Sequence, residues 1–283
     1  MGQFERFCAM RAGSRKDQGA LRNHAVLGVP EDAKCVRVAW MYPDVLNLHG
    51  CRGDLMAIAH FSCLMDLPCE IRRVEALADP IPLDWADLVV FPAGDLAAMP
   101  DLCRALAGKK DAFEAYCAQG GMILAIADAG ALLGKKTVFL DGGESEGLGL
   151  LDMELRQRKT AFGDDLWVRT AEGLELLGAQ VQMADVILGP EQEAFASVIY
   201  GRGNCGDGRE GARSGGVIFT HCLGPVLAKN PRLTESLLRQ CAEHAGCEAG
   251  SLSDGQIALE LAALEDVRKF VEKKRSGELR WKK

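Results

Sequence analysis

The chain has 283 residues, of which 48% are hydrophobic and 6% aromatic, and its formal net charge is −7. This acidic balance and the scarcity of aromatic side chains argue against a protein that follows phosphates or stacks bases, so we expect no nucleic-acid partner. No apolar run approaches the ~20 residues that span a bilayer. The first residues also lack the apolar core of a signal peptide. We therefore expect a cytoplasmic protein that has no membrane partner.

The eleven cysteines are scattered along the chain without a CxxC pair, unlike a zinc knuckle or a small disulfide scaffold. We interpret most of them as reduced thiols that pack as small apolar residues. Cys241, His244 and Cys247 follow one another at three-residue spacing, which places them along one helical face. A metal site there would need a fourth ligand that the sequence does not offer. We expect neither a metal nor another cofactor.

The first half of the chain alternates short apolar runs with segments of helical periodicity. Residues 1–34 are polar and contain glycine and proline, which predicts a flexible N-terminal arm. The apolar runs predict buried strands, and the periodic segments predict helices. The predicted strands are 35–41, 71–74, 87–91 and 120–126, and the predicted helices are 55–65 and 100–118. This alternation is typical of βαβ units, so we predict an α/β fold with a mostly parallel sheet between layers of helices.

Ligands bind such sheets at the carboxyl ends of the strands. The loops at 42–54, 92–95 and 127–130 follow three of the predicted strands, so they share one edge of the sheet. We expect these loops to line one site.

The second half is rich in predicted strands and ends in an amphipathic helix. The strands are predicted at 148–155, 166–169, 181–187, 194–200 and 216–223, with a helix at 230–245. The glycine-rich segment 201–211 lacks the Gly-Lys-Ser/Thr ending of a P-loop, and we interpret it as a hairpin connection. Residues 247–283 predict a C-terminal helix with a basic tail. This helix either docks on its own domain or binds a partner.

Residues 120–134 predict a buried strand, a sharp turn and a helix rich in small residues. In α/β enzymes this bend is the nucleophile elbow, which presents a reactive side chain at the carboxyl end of the sheet. Ala127 and Asp128 stand at the bend, and neither is a serine or a cysteine.

Three stretches together resemble one family. Residues 42–54 (YPDVLNLHGCRGD) resemble its opening loop, residues 124–134 and 147–152 its elbow and the GLGLLD motif, and residues 220–231 its histidine-bearing strand end. The family is the class I glutamine amidotransferases of the cobyric acid synthase type, and the nearest branch is the glutaminase subunit of lipid II isoglutaminyl synthase. The resemblance implies a three-layer, flavodoxin-like amidotransferase domain at 35–246. It also implies a Mur-ligase-like synthetase subunit as partner, acting on a cell-wall precursor.

Members of this family hydrolyse glutamine with an elbow cysteine, a histidine base and N–H donors for the oxyanion. By position, the cysteine falls on Ala127 and the histidine on Leu223, and neither side chain can do that chemistry. The family's Gly-Gly-Gly falls on residues 92–94, where Pro92 has no N–H to donate. The resemblance therefore implies a pseudoenzyme that keeps the fold and a partner surface.

Two side chains could substitute for the missing groups. His221 lies two residues before Leu223, which is about 6.6 Å away at ~3.3 Å per strand residue. Asp128 could act at a shifted elbow, although a carboxylate would not give a glutaminase, and it could instead cap a helix. Two other functions stay open: an enzyme with repurposed chemistry in the same cleft, or a sensor of glutamine or another amino acid. The residues expected to line the cleft are Gly94, Asp128, Asn47, Arg52 and Asn204.

Overall fold

The computed structural model describes residues 11–12, 21–30 and 32–278. In chain order its strands are β1 (Arg11–Ala12), β2 (Leu21–Arg22), β3 (Val36–Met41), β4 (Cys69–Val74), β5 (Leu88–Phe91), β6 (Met122–Ile126), β7 (Lys136–Val138), β8 (Glu144–Glu146), β9 (Met153–Thr170), β10 (Glu175–Leu188), β11 (Ala196–Tyr200), β12 (Arg209–Glu210), β13 (Ala212–Ser214) and β14 (Val217–Thr220). The α-helices are α1 (His24–Leu27), α2 (Arg52–Leu64), α3 (Met99–Leu106), α4 (Lys110–Ala118), α5 (Gly130–Leu133), α6 (Val226–Lys229), α7 (Pro231–Ala245) and α8 (Ala258–Ser276).

The larger sheet has eight strands in the order β1-β2-β4-β3-β5-β6-β14-β13. The five inner strands, from β4 to β14, pair in parallel, whereas β2 and β13 pair antiparallel to their neighbours. This arrangement confirms the predicted α/β fold with a mostly parallel central sheet.

Helices cover both faces of this sheet. Val38 packs in one hydrophobic cluster with Phe61 of α2, whereas its neighbour Ala39 packs in another cluster with Phe113 of α4. Successive residues of a strand point to opposite faces, so the two clusters lie on opposite sides of the sheet. Burial on both faces explains why these strands are apolar at nearly every position.

The parallel register brings three strand ends to one edge of the sheet. Phe91 pairs with Ala125, and Ile126 pairs with Thr220. Because these strands run in the same direction, the residues that follow them, from Pro92, Ala127 and His221 onward, meet at this edge, as the sequence predicts.

A second sheet is built around a long antiparallel hairpin, with the order β12-β11-β9-β7-β8 and β10 paired to β9. The sequence predicts separate strands at 148–155 and 166–169, but the structure joins their region into the single strand β9. The polar stretch between them lacks an apolar signal because it is largely exposed, yet the backbone on both sides of residues 158–161 pairs with β10. The register shifts between Gln182 and Ala184.

The single helix predicted at 100–118 is wrong, because the structure has two helices there. α3 ends at Leu106 and α4 begins at Lys110. Ala107 is extended, and Gly108 follows in the left-handed region with φ 76°. Glycine adopts this conformation without steric penalty, and the chain changes direction there.

Part of the predicted N-terminal arm is attached to the central sheet. β2 pairs with β4, and the buried Asn23 side chain donates to Ser62 Oγ (2.9 Å) and to the Leu67 carbonyl (3.0 Å). Its Oδ1 accepts the N–H of Cys69 at 2.6 Å. Residues 21–30 therefore differ from the flexible segment that composition predicts, while residues 1–10 and 13–20 lie outside the described ranges.

The C-terminal helix α8 docks on the second sheet. Val271 is buried in a cluster with Trp167 and Leu177. Lys274 pairs with Asp164, and its Nζ lies 2.6 Å from Asp165 Oδ2. Of the two alternatives left open by the sequence, the structure supports docking of this helix on its own domain. In the part of the chain that the structure describes, no helix is long and apolar enough to cross a membrane.

Candidate functional site

The bend after β6 keeps the backbone geometry of a nucleophile elbow. Ala127 has φ 52°, a left-handed conformation that disfavours side chains, and it opens the 3-10 turn Ala127–Ala129. Tyr42 and His49, in the loop after β3, also have positive φ values. For an L-residue this conformation costs roughly 1–2 kcal/mol. Strained residues of this kind cluster at functional sites, and these three lie in the loops after β3 and β6, at the same edge of the sheet.

The elbow also needs a glycine at its next turn. A Cβ at Gly130 would lie 2.4 Å from the Phe219 ring, closer than nonbonded carbon atoms approach. Gly130 therefore lets the start of α5 pass close to β14.

The residues that the resemblance places at the cysteine and histidine positions are apolar and buried. Ala127 and Leu223 belong to the same hydrophobic cluster, and neither side chain has an atom that accepts or donates a proton. Leu223 is tied to β10, because its N–H donates to the Ala179 carbonyl (2.8 Å) and its carbonyl accepts the Ala179 N–H (3.1 Å). Hydrocarbon side chains therefore stand at the two positions to which the resemblance assigns a thiol and an imidazole.

The loop after β5, to which the resemblance assigns oxyanion donors, begins with a proline. Pro92 has no N–H. The Ala93 carbonyl accepts the N–H of Leu48 at 2.9 Å, which joins this loop to the loop after β3. Gly94, predicted to line the cleft, is buried beneath Leu46, since a Cβ at position 94 would lie 2.5 Å from Leu46 Cδ2.

His221 is buried, with only 3% of the residue exposed. Its backbone N–H donates to Glu210 Oε1 at 2.6 Å, and its ring packs edge-on against Phe219 at 4.9 Å. Nε2 is enclosed and has no hydrogen-bond partner among the described residues. Burial lowers the pKa of His221 to about 3, so the imidazole is neutral at physiological pH.

The two thiols nearest these loops offer no replacement nucleophile. Cys51 and Cys222 are fully buried. Burial raises the pKa of Cys51 to about 12, with Asp54 as a second cause, and burial raises the pKa of Cys222 as well. Because the thiolate is the reactive form of cysteine, both thiols are inert.

Asp128 is buried at the elbow without a partner. Its side chain is 9% exposed and makes no hydrogen bond or ion pair to another described residue. Burial and, secondly, the Asp95 carboxylate raise the pKa of Asp128 to about 7. The interpretation of Asp128 as a helix cap is wrong, because the turn at 127–129 has no side-chain capping hydrogen bond.

The other predicted cleft residues are in two different settings. Asn47 and Arg52 are exposed in and beside the loop after β3, and their side chains make no hydrogen bond to another described residue. Asn204 is fully buried in the glycine-rich segment, where its amide donates to the Gly211 carbonyl (2.9 Å) and accepts the Gly211 N–H (2.8 Å). The structure therefore gives Asn204 a role inside its own loop rather than in the cleft.

The spaced Cys241, His244 and Cys247 are not gathered into one site. Cys241 Sγ contacts Met122 Sδ at 3.8 Å, and His244 Nδ1 lies 2.7 Å from Asp87 Oδ1. Cys247 lies beyond the end of α7 at Ala245.

Within the described ranges, His24, Cys35 and Glu70 have side-chain ligand atoms within 4.8 Å of one another. Glu70 is already paired with the guanidinium groups of Arg22 and Arg72. Two cations beside this carboxylate favour a structural ion-pair cluster over a metal site.

Sequence comparisons agree with this architecture. No family model matches the chain. Over 206 residues the chain is 24% identical to the GatD subunit of lipid II isoglutaminyl synthase (glutamine-hydrolyzing) from Streptococcus pneumoniae, covering 72% of this chain and 79% of that one. The Staphylococcus aureus GatD is 26% identical over 213 residues, covering 72% of this chain and 83% of that one. The chain is homologous to GatD.

Two solved structures are also similar. A glutamine amidotransferase is 20% identical with a TM-score of 0.47, covering 74% of this chain and 98% of that one. PurLQS from Thermotoga maritima is 16% identical with a TM-score of 0.49, covering 75% and 97%.

Comparison with the motifs of the GatD-like family did not reveal two features of the site. One is the bridge between Leu223 and Ala179, because no sequence motif marks Ala179. The other is the effect of the Asp95 carboxylate, which after burial is the second cause of the raised pKa of Asp128. A weak sequence signal pointed to the unusual setting of Asp128, because a charged residue is uncommon within an otherwise apolar elbow.

Proposed function

We propose that the chain is a glutamine amidotransferase-like subunit without glutaminase activity, and that it acts as the non-catalytic partner of a Mur-ligase-like amidating synthetase in cell-wall precursor modification. The observation that carries this proposal is Ala127, which holds the strained backbone of the elbow (φ 52°) but has no nucleophilic atom.

Glutaminase chemistry needs three groups that act as a unit. A thiolate attacks the amide, an imidazole transfers protons, and N–H donors stabilise the oxyanion. Ala127, Leu223 and Pro92 occupy the corresponding positions, and the nearby buried His221 is not a substitute base. Because the members of such a unit act together, the loss of the nucleophile alone already removes most of the rate.

The partner is proposed from the relatives and from the surface of the opening loop. Both GatD relatives are named as subunits of a lipid II isoglutaminyl synthase. In this chain Val45 and Leu48 are each 42% exposed beside the exposed Arg52. Exposed apolar side chains rimmed by polar ones are typical of interaction surfaces. This loop is the surface that we assign to the synthetase.

The activity test uses the purified full chain with glutamine, measuring glutamate and ammonia release. The same assay is repeated with the co-expressed synthetase. We expect no release above buffer in either case, and amidation by the complex only when free ammonia is supplied. Glutamate release that depends on this chain would overturn the loss of glutaminase activity.

The partner test is affinity purification of the tagged full chain from its native host. We expect a Mur-ligase-like chain to copurify with the unmodified protein and to be lost with Leu48→Asp. The matched control is Leu140→Asp, because Leu140 is equally apolar and 54% exposed but belongs to the second sheet region. Absence of the synthetase from the unmodified sample, or equal loss with both variants, would contradict the proposed partner surface.

A further inference from the structure

A polar cavity of about 290 Å³ lies at the amino ends of the central strands. It is lined by residues at the starts of β3 and β5 and by residues at the ends of α4 and α7. The elbow, in contrast, follows the carboxyl end of β6. Because the two ends of parallel strands lie at opposite edges of a sheet, this cavity is separate from the cleft described above. Its polar lining includes Lys34, Arg37, Trp85, Gln119 and His244.

The buried Asp87, directly before β5, fixes two of the lining residues. Its Oδ2 accepts the Arg37 N–H at 2.7 Å, and its own N–H donates to the Arg37 carbonyl at 2.7 Å. Its Oδ1 lies 2.7 Å from His244 Nδ1. An ionised carboxylate only accepts hydrogen bonds, so Nδ1 is the donor in this contact. Nε2 is therefore the ring nitrogen that His244 can offer to a ligand.

The His244 ring is also held from its other side. A Cβ at Gly120 would lie 3.0 Å from His244 Cδ2, so the ring packs closely over this glycine. Gly120 has φ 98°, a conformation that suits glycine and not a residue with a side chain. Asp87 and Gly120 together fix the position of the imidazole at the cavity.

The two cations of the cavity have no carboxylate partner. Lys34 and Arg37 are exposed, and neither forms an ion pair with a described residue. The Arg37 guanidinium carbon lies 5.9 Å from the centroid of the Trp85 ring, a cation–π contact that helps to place it. Asp84 is the other acidic residue of the lining, and it is exposed and in no ion pair with a described residue. Two uncompensated positive charges therefore face one uncompensated negative charge.

We infer that this cavity binds a phosphate group, either of free phosphate or of a small phosphomonoester. The Arg37 guanidinium offers a fork of N–H donors that matches phosphate oxygens, and Lys34 adds a second positive charge. His244 Nε2 can accept the P–O–H hydrogen of a phosphate monoanion or, when protonated, donate to an oxygen. The Gln119 amide adds further N–H donors.

The arrangement of these groups favours phosphate over a carboxylate. They come from β3, from the residue after α4 and from the last turn of α7, so they converge from different sides of the cavity. A tetrahedral group with three terminal oxygens can meet them together, whereas a planar carboxylate has two oxygens. This inference does not depend on the proposed function, because the cavity is at the opposite edge of the sheet from the elbow.

The test is titration calorimetry of the full chain in a phosphate-free buffer at constant ionic strength. The probes are inorganic phosphate, glycerol phosphate and acetate. We expect saturable binding of phosphate, and acetate binding that is at least about tenfold weaker. Tighter binding of glycerol phosphate than of inorganic phosphate identifies an ester as the ligand, and equal or weaker binding identifies free phosphate. No saturable binding of either phosphate probe at millimolar concentration, or equal affinity for acetate, overturns the inference.

Variants separate this site from nonspecific charge effects. Arg37→Gln and Lys34→Gln each remove one charge and keep a polar side chain, and we expect each to weaken phosphate binding about tenfold. Asp84→Asn removes the opposing charge and should tighten binding. The matched control is Lys159→Gln, because Lys159 is exposed on β9, has no ion-pair partner among the described residues and is not part of the lining. Circular dichroism verifies that each variant folds. Unchanged affinity in folded Arg37→Gln, or equal weakening by Lys159→Gln, contradicts the assignment of the site.

Discussion

Leu223 and Ala179 exchange both of their backbone hydrogen bonds, at 2.8 Å and 3.1 Å, and so form an isolated antiparallel bridge between the segment after β14 and the strand β10. The bridge fixes the backbone at Leu223 and directs its side chain into the apolar cluster that also contains Ala127. A side chain at this position cannot leave the cluster without breaking the bridge, so its polarity affects stability as well as chemistry.

Replacing Leu223 by histidine should therefore destabilise the protein rather than restore activity. The imidazole would be buried among apolar neighbours with no hydrogen-bond partner, and we expect a loss of about 1–3 kcal/mol in the free energy of unfolding. Leu223→Met, which nearly conserves volume, is the control and should lose less than about 1.5 kcal/mol. Urea denaturation measures both values. An equal loss in the two variants would show that shape, and not polarity, limits this position.

Ala127→Gly should be tolerated better than the same change in the adjacent strand. Ala127 has φ 52°, so glycine relieves backbone strain of roughly 1 kcal/mol there. Ala125 lies in β6 with ordinary strand geometry, and Ala125→Gly should be destabilising by about 1 kcal/mol more than Ala127→Gly. Thermal unfolding compares the pair. A larger loss in Ala127→Gly would contradict the strained conformation.

Asp128 should make the protein less stable as the pH rises. Its pKa is raised to about 7 in the folded state, against an ordinary value of 3.8. Between these two values the folded state binds more protons than the unfolded state, so stability is lost as pH rises toward 7 and levels off above it. Asp128→Asn should remove about 2 kcal/mol of the stability difference between roughly pH 5 and pH 8. Denaturation at several pH values measures the slope, and Asp84→Asn should retain the slope of the unmodified protein.

Variants at two residues of α8 test whether this helix is held on its own domain. Val271 is fully buried against the second sheet, whereas Leu259 is 80% exposed. Val271→Asp places a charge in the docking cluster and should cost about 2–4 kcal/mol, with faster proteolysis of the helix. Leu259→Asp should change stability by less than about 0.5 kcal/mol. Equal proteolysis of both variants would mean that α8 is not held by the Val271 cluster.

The central sheet could be predicted from the sequence because its strands are buried on both faces. Strands such as Leu88–Phe91 and Met122–Ile126 are apolar throughout, and each is followed by a loop. In a parallel sheet these loops must meet at one edge, so the position of the candidate site follows from strand direction alone. The resemblance alone assigns the apolar residues Ala127 and Leu223 to the family's cysteine and histidine positions.

Features that depend on single contacts could not be predicted. The continuous β9 contains an exposed polar stretch with no apolar period, so only its pairing with β10 reveals a strand. Asn23 attaches a polar N-terminal segment to the sheet through three buried hydrogen bonds that composition does not indicate. The Asn204 side chain forms hydrogen bonds within its own loop, and the sequence pattern does not indicate which way this single side chain points.

The strand order of the central sheet has a consequence for how the chain is synthesised. β6 lies between β5 and β14, and β14 is the last strand of this sheet to leave the ribosome. Until then Met122–Ile126 is an apolar strand with one unpaired edge, a state that favours pairing with other chains. One edge of this strand therefore stays unpaired while the whole second sheet, β7 to β12, is being made.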